Sequence, residues 1–279
     1  MAITDSVQEM IAERKKQRKN AYKKLMELMR SKIELERPVF FVPGWTDESC
    51  FNWKYGYRNQ APMKVWASKI TKNPAMLNFT TFTLEESKSC VSFIDFGKIL
   101  KDNIESKIGK QQEFDLIGHS MGGLDIRAAI AIHGLKNAYN CITVATPHKG
   151  TDLAGIAAKI NNYPAHHKIQ CQNLDPDYEP IQKINSLENR KAFLGGICKL
   201  YQFVGSRDMA VMKSAKIDKK GLSTALCDKI VTVEIGGATH SAEGGITRDV
   251  RVVLAIINIF MGVELEQPKR NYGYVYRKA

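Results

Sequence analysis

The stretch Phe114–Gly134 reads FDLIGHSMGGLDIRAAIAIHG, and its order of residue types decides the fold. An apolar run, FDLI, enters a cluster of small residues, and an Ala/Ile-rich helical run leaves it. Within the cluster, Gly118-His119-Ser120-Met121-Gly122 fits the pattern G-x-S-x-G. The pattern alone arises readily by chance; the strand before it and the helix after it carry the weight. A serine forced onto so tight a strand-to-helix turn needs neighbours without bulk, and Gly118, Gly122 and Gly123 meet that need. Its hydroxyl then stands at a helix N-terminus, where the helix dipole favours developing negative charge.

Outward from this turn, short β-rich runs alternate with helical stretches. The apolar run 38–42 (PVFFV) ends at Pro-Gly, and 76–84 (MLNFTTFTL) is rich in Thr and Phe. Further strands are expected over 114–117, 140–145, 199–204 and 229–235, and helices over 62–72, 91–108, 121–134 and 247–262. Strands separated by helices of ten or more residues indicate βαβ units, hence an α/β fold with a mostly parallel sheet of about six strands covered on both faces. The alternation breaks over 152–196, which holds NNYPAHHKIQ and NLDPDYEP, then a helical QKINSLENRKAFL. This segment reads as a cap or lid insertion in a single domain of 38–279.

Residues 3–35 read as a helix preceding that domain. Tyr22, Leu25, Leu28, Met29 and Ile33 recur at helical spacing, while Arg14 and Arg18 interrupt the stripe. Arg37-Pro38 ends it, because a residue before proline avoids the α region. Residues 1–37 are therefore expected to form a basic helical extension.

Here the chain resembles a known family. LIGHSMGGLDIR looks like the nucleophile elbow of α/β-hydrolase-fold serine lipases and esterases, including the bacterial triacylglycerol lipases and the PGAP1-like hydrolases. The resemblance extends to VFFVPGW at 39–45, to ATPHKGTDLA at 145–154 and to the ends of the last two strands, covering about 38–262. It implies an α/β-hydrolase fold and a serine carboxylester hydrolase acting on acyl lipids through an acyl-enzyme. The same groups would also serve an acyltransferase, an amidase or a thioesterase. A non-catalytic binding protein on the same fold is a further reading, against which a complete catalytic set argues.

The family's chain order is nucleophile, acid, histidine. It implies Ser120 as nucleophile, Asp208 just past the strand at 199–204, and His240 in the glycine-flanked loop after the last strand. A serine needs a base to take its proton, and the base needs a carboxylate to hold its tautomer. The oxyanion hole would take backbone N–H groups from Met121, after the nucleophile, and Trp45, after the PVFFV strand. Proline at position 43 departs from the His-Gly sequence usual in that loop. His119 sits inside the elbow with its ring expected to turn away from Ser120, and His133, His148, His166 and His167 are expected to be structural or on the surface. Asp228 falls at the wrong end of the sheet, and Asp175 and Asp177 fall in the insertion. The TPHKGT turn at 146–151 reads as structural.

Composition narrows the remaining classes. The 279 residues carry a formal charge of +12, with 44% hydrophobic and 25% charged residues, an ordinary globular balance. The charge is concentrated: nine Lys/Arg against two Glu in 13–32, and four Lys/Arg without an acid in 268–279, leave the rest about neutral. The segment 13–32 has three readings. It is a solvated helix docked by its apolar stripe, an interfacial helix drawn to an anionic membrane, or a nucleic-acid segment that no recognition motif supports. The tyrosine-rich tail NYGYVYRKA alternates as an edge strand or contact surface would.

The six cysteines (50, 90, 141, 171, 198, 227) show no CxxC pair, so free thiols are expected and no zinc site. No metal or other cofactor motif is present. The opening MAITDSVQEM lacks the apolar core of a secretory signal, and the longest apolar run, 252–263, is too short to span a bilayer. A cytoplasmic location is the expectation, with peripheral membrane association or leaderless export as alternatives.

Overall fold

Val39–Val42 (β1) is buried along its whole length, as are Phe114–His119 (β3) and all but one residue of Ala138–Val144 (β4). Strands covered on both faces read as continuous apolar runs, not alternating ones. The structure, a computed structural model, describes residues 2–44, 62–80, 82, 84–90, 92–152, 165–209, 211, 213–240, 245–263 and 265. Trp45, Cys50, residues 153–164 of the insertion and the tail at 268–279 lie outside the described residues, as do the side chains of His166 and His167.

Among the described residues six strands form one sheet in the order β2-β1-β3-β4-β5-β6, every neighbouring pair parallel. The remaining strands are Leu77–Phe79 (β2), Ile197–Gly205 (β5) and Ile230–Ile235 (β6). One face carries Ala2–Ser31 (α1), Pro62–Ile70 (α2) and Val250–Phe260 (α10), whose Leu25, Ile70 and Ile256 share a core with Phe41, Val144, Phe203 and Val233. The other face carries Phe93–Ile108 (α4) and Gly122–Ala131 (α5), whose Leu100 and Ile130 meet Phe40, Val42, Phe114 and Leu200. A six-stranded parallel sheet with helices on both faces is the α/β-hydrolase architecture expected.

The strand expected over 76–84 is shorter than its pattern. β2 ends at Phe79, and the chain enters a new helix, Leu84–Ser89 (α3), with Glu85 and Glu86 in its first turn. The reason lies in its partner. β1 stops at Val42 before Pro43-Gly44, so the last ladder bond to β2 is Thr80 N–H to Phe41 O, at 2.9 Å.

The insertion is helical where described, with Ala165–Gln172 (α6), Glu179–Ile184 (α7) and Leu187–Gly195 (α8). The single helix expected in QKINSLENRKAFL is broken at Ser186, whose hydroxyl accepts the Asn189 N–H and starts α8. Leu174, Ile181 and Ile184 pack on Met121, Leu124 and Phe96, so the insertion rests on the elbow helix. A short helix, Thr224–Asp228 (α9), leads into β6 and leaves Asp228 at the opposite end of the sheet from the loops that follow β3, β5 and β6.

α1 docks through Ala21, Leu25 and Leu28, all buried, with Tyr22 edge-on to Trp66 at 5.8 Å. Among the described residues no helix is long and apolar enough to cross a membrane.

Candidate active site

In a parallel α/β sheet the loops beyond the carboxyl ends of the strands form the binding crevice. Ser120 follows β3, Asp208 follows β5 and His240 follows β6, so topology alone brings all three to that edge.

Ser120 has φ of 53°, the left-handed region that costs a non-glycine residue about 1–3 kcal/mol. Packing on every side holds it there. Its N–H donates to Val144 O at 2.9 Å, and its carbonyl accepts from Gly123 N–H at 3.2 Å. A Cβ on Gly118 would stand 2.7 Å from Gly122 C and Gly123 N, and one on Gly44 would stand 3.0 Å from Ser120 Cβ. The glycines therefore let β1, β3 and α5 converge on the serine.

Ser120 Oγ lies 3.0 Å from His240 Nε2, and His240 Nδ1 lies 2.9 Å from Asp208 Oδ2. Asp208 is wholly buried, while the His240 side chain is 24% exposed. Asp208 Oδ1 also accepts the Val211 N–H at 3.1 Å, which fixes the carboxylate's orientation. The acid and histidine loops brace each other through Arg207 N–H to Ala238 O, at 2.9 Å. Of the residues expected from sequence, Ser120, Asp208 and His240 thus meet in one hydrogen-bonded chain. Met121 is buried at the start of α5, behind Ser120. Trp45 lies outside the described residues.

The other histidines divide clearly. His133 Nε2 lies 2.8 Å from Ile94 O, tying α5 to α4. His148 is buried, with Nε2 3.1 Å from Thr143 Oγ1, and burial together with the Arg127 charge holds its pKa well below the usual value. Arg127 spans from His148 O (2.9 Å) to Ile184 O (2.8 Å), pinning the TPHKGT turn and the insertion to α5. His119 is the exception. Its ring centroid stands 5.2 Å from that of His240, and burial, then the His240 charge, push its pKa down to about 3. It is therefore a neutral ring packed beside His240, a contact that no sequence spacing could announce.

Cys90, Cys141, Cys171, Cys198 and Cys227 are free thiols. Among the described residues no cluster of His, Cys, Asp and Glu could hold a metal ion.

A family model described as palmitoyl protein thioesterase matches residues 38–186, from the entry to β1 through the elbow into the insertion. The chain belongs to the palmitoyl protein thioesterase family. No curated protein sequence matches it significantly. Among solved structures, this family member is similar to the phospholipase PlaB from Legionella pneumophila, with TM-score 0.54 and 14% identity, over 84% of this chain and 60% of that one. It is also similar to the Mycobacterium tuberculosis protein BpoC, with TM-score 0.54 and 12% identity, over 82% and 93% of the two chains. The propeptide form of the Bacillus licheniformis lipase BlEst2 gives 0.51 and 14%, over 86% and 54%. The chain thus spans little more than half the length of the phospholipase and the lipase. At these identities the likeness is one of fold, the α/β-hydrolase fold.

Proposed function

We propose that this protein is a serine hydrolase that cleaves carboxylic esters of acyl lipids through an acyl-enzyme. The observation that carries the reading is the hydrogen-bonded chain Ser120–His240–Asp208 on a left-handed elbow. Ser120 Oγ attacks the acyl carbonyl carbon as His240 Nε2 takes its proton. Asp208 holds the imidazole by Nδ1 and stabilises the imidazolium. The oxygen anion forms against the N–H of Met121 and, by position in the chain, that of Trp45; each such donor is typically worth about 10²–10³ in rate. The C–O bond to the leaving group breaks as His240 returns the proton. Water then repeats the cycle: His240 takes its proton, the hydroxyl joins the acyl carbon, and Ser120 leaves with the proton restored.

A second reading exchanges the bond and keeps the residues. The family match favours a long-chain acyl thioester, whose thiolate leaves without needing full protonation. In either case α1 offers a route to substrate. Lys15, Lys16, Lys19 and Lys23 are exposed on it, as are Val7 and Ile11, the composition of a helix that lies on an anionic lipid surface.

A fluorophosphonate probe is expected to label the parent protein at Ser120, and Ser120→Ala to lose both labelling and turnover while keeping its fold. A folded parent that takes no label would overturn the proposal. Parallel assays on a palmitoyl ester and a palmitoyl thioester then separate the two readings by kcat/KM.

A further inference from the structure

α1 does more than cover the sheet. Its middle turns lie on the segment that carries His240. A Cβ on Gly236 would stand 2.7 Å from Arg14 Nε, and one on Gly237 would stand 3.2 Å from Arg14 Nη1, so the Arg14 guanidinium rests directly on this glycine pair. One helical turn further on, Arg18 donates to Asp249 Oδ2 from Nη2 at 3.1 Å and from Nε at 3.3 Å.

Asp249 is a junction. Its side chain is 1% exposed, and Oδ1 accepts from the Arg251 N–H (3.0 Å) and Nε (2.9 Å) while Oδ2 accepts from Arg251 Nη2 (2.7 Å). Burial alone would push its pKa up, but hydrogen bonds and charge from Arg251, with the Arg18 charge, bring it below the usual value. It is therefore a carboxylate shared by two guanidiniums. Arg251 Nη2 passes the connection on by donating to Gly236 O at 2.9 Å, at the root of the histidine loop. Arg251 Nη1 also reaches Gln17 Oε1 on α1, at 3.5 Å.

Between Gly236 and His240 the loop is also held by hydrogen bonds, among them Ala238 N–H to Ile235 O at 3.3 Å. Gly237 N–H donates to Ser206 Oγ (2.8 Å), Ala238 O accepts from Arg207 N–H (2.9 Å), and Thr239 O accepts from Ile246 N–H (2.8 Å). Gly237 takes φ of 80°, a conformation glycine adopts without strain. The imidazole must keep 3.0 Å to Ser120 Oγ and 2.9 Å to Asp208 Oδ2 at the end of this short tether.

We propose that Arg18 is a positioning residue: through Asp249 and Arg251 it holds the Gly236–His240 segment, which makes α1 a working part of the active site. The proposal rests on the hydrolase reading for what His240 does, and on the relay alone for how the loop is held. Arg18 is 46% exposed, and without it Asp249 stays paired with Arg251, so no buried charge is left unpaired and the removal can be read at the site.

The test uses the full chain with Arg18→Ala, Arg18→Lys and, as a control of equal charge change at an exposed arginine on the same helix, Arg30→Ala. Two readouts are taken: amide hydrogen exchange of peptides covering 236–246, and the rate and final stoichiometry of fluorophosphonate labelling. Arg18→Ala is expected to speed exchange in that segment and slow labelling about tenfold, since misplacing reacting groups by a fraction of an ångström costs rate steeply. Stoichiometry and melting temperature should stay at the parent's values, Arg18→Lys should recover part of the rate, and Arg30→Ala should match the parent. Unchanged exchange over 236–246 would overturn the proposal. So would a labelling loss in stoichiometry with a lowered melting temperature, which marks a role in stability only. If the parent itself takes no label, the hydrolase reading fails, and the exchange readout still decides whether α1 holds the loop.

Discussion

Gly122→Ala places a single methyl where β1, the elbow and α5 meet. Its carbon would stand 2.2 Å from Pro43 O and 2.6 Å from Val42 O, so the gap must open by roughly 1 Å to reach an ordinary contact. Both walls are backbone. Val42 is held in the ladder opposite Gly118, and Gly122 begins α5, so no side-chain rotation can absorb the clash. Overpacking of this kind costs about 1–3 kcal/mol, and the helical preference of alanine over glycine returns up to about 1 kcal/mol. The net loss of about 1–2 kcal/mol lowers the melting temperature by roughly 2–8 °C for a chain of this length.

The effect on rate should be larger. What moves is the Pro43-Gly44 turn, which packs on Ser120 Cβ and leads to the proposed donor at Trp45. A displacement of about 1 Å in a catalytic group costs about 10²-fold, close to 3 kcal/mol in the transition state. The assay compares probe labelling and kcat on the preferred acyl substrate for the parent, Gly122→Ala and Gly195→Ala, a control whose added Cβ meets nothing within 4 Å. A drop of about 10² in kcat with KM nearly unchanged is expected for the first variant and none for the control. A folded Gly122→Ala protein with kcat within about threefold of the parent would refute the reasoning that this close approach sets the oxyanion turn.

Two further outcomes follow from buried and exposed charge. Asp125, wholly buried on α5 with no hydrogen-bond partner among the described residues for either carboxylate oxygen, has its pKa raised well above the usual value by burial. The folded state thus favours the protonated acid, and the stability this gives at low pH is lost as pH rises through the raised pKa. Asp125→Asn should melt like the parent near about pH 4 and above it by about pH 8; equal melting temperatures at both would refute the burial argument. For the lipid-surface reading, Lys15, Lys16, Lys19 and Lys23 together changed to Gln should cut sedimentation with anionic vesicles by about 10²–10³-fold, at about 1 kcal/mol per lysine. Equal binding of the parent to neutral vesicles would refute it.

The elbow was legible because its steric demand is local: small residues two positions either side of a serine, between a strand and a helix, leave few alternatives. Asp208 and His240 could be placed from chain order, since a parallel sheet delivers the ends of β3, β5 and β6 to one edge. What escaped was tertiary. Arg14 and Arg18 read as interruptions of an apolar stripe, yet they face the domain, because Arg18 finds its carboxylate 231 residues away. The Thr- and Phe-rich sequence overstates β2 because its length is set by pairing with β1. The insertion helices gave a weak pattern because a buried arginine, Arg127, supplies hydrogen bonds that no periodicity records.

The packing of α1 against α10 has a consequence for synthesis. The first described helix packs on α2 and on the last one, α10, so its cover is complete only once the ribosome has released α10. Loop closure over such a span is slow compared with the neighbouring β–α steps of the sheet. The nascent chain therefore carries a basic helix covered only by α2 while the rest of the sheet assembles behind it. The histidine loop acquires its Arg18 support only when both ends of the fold have met, which makes full alignment of the site a late event, after translation.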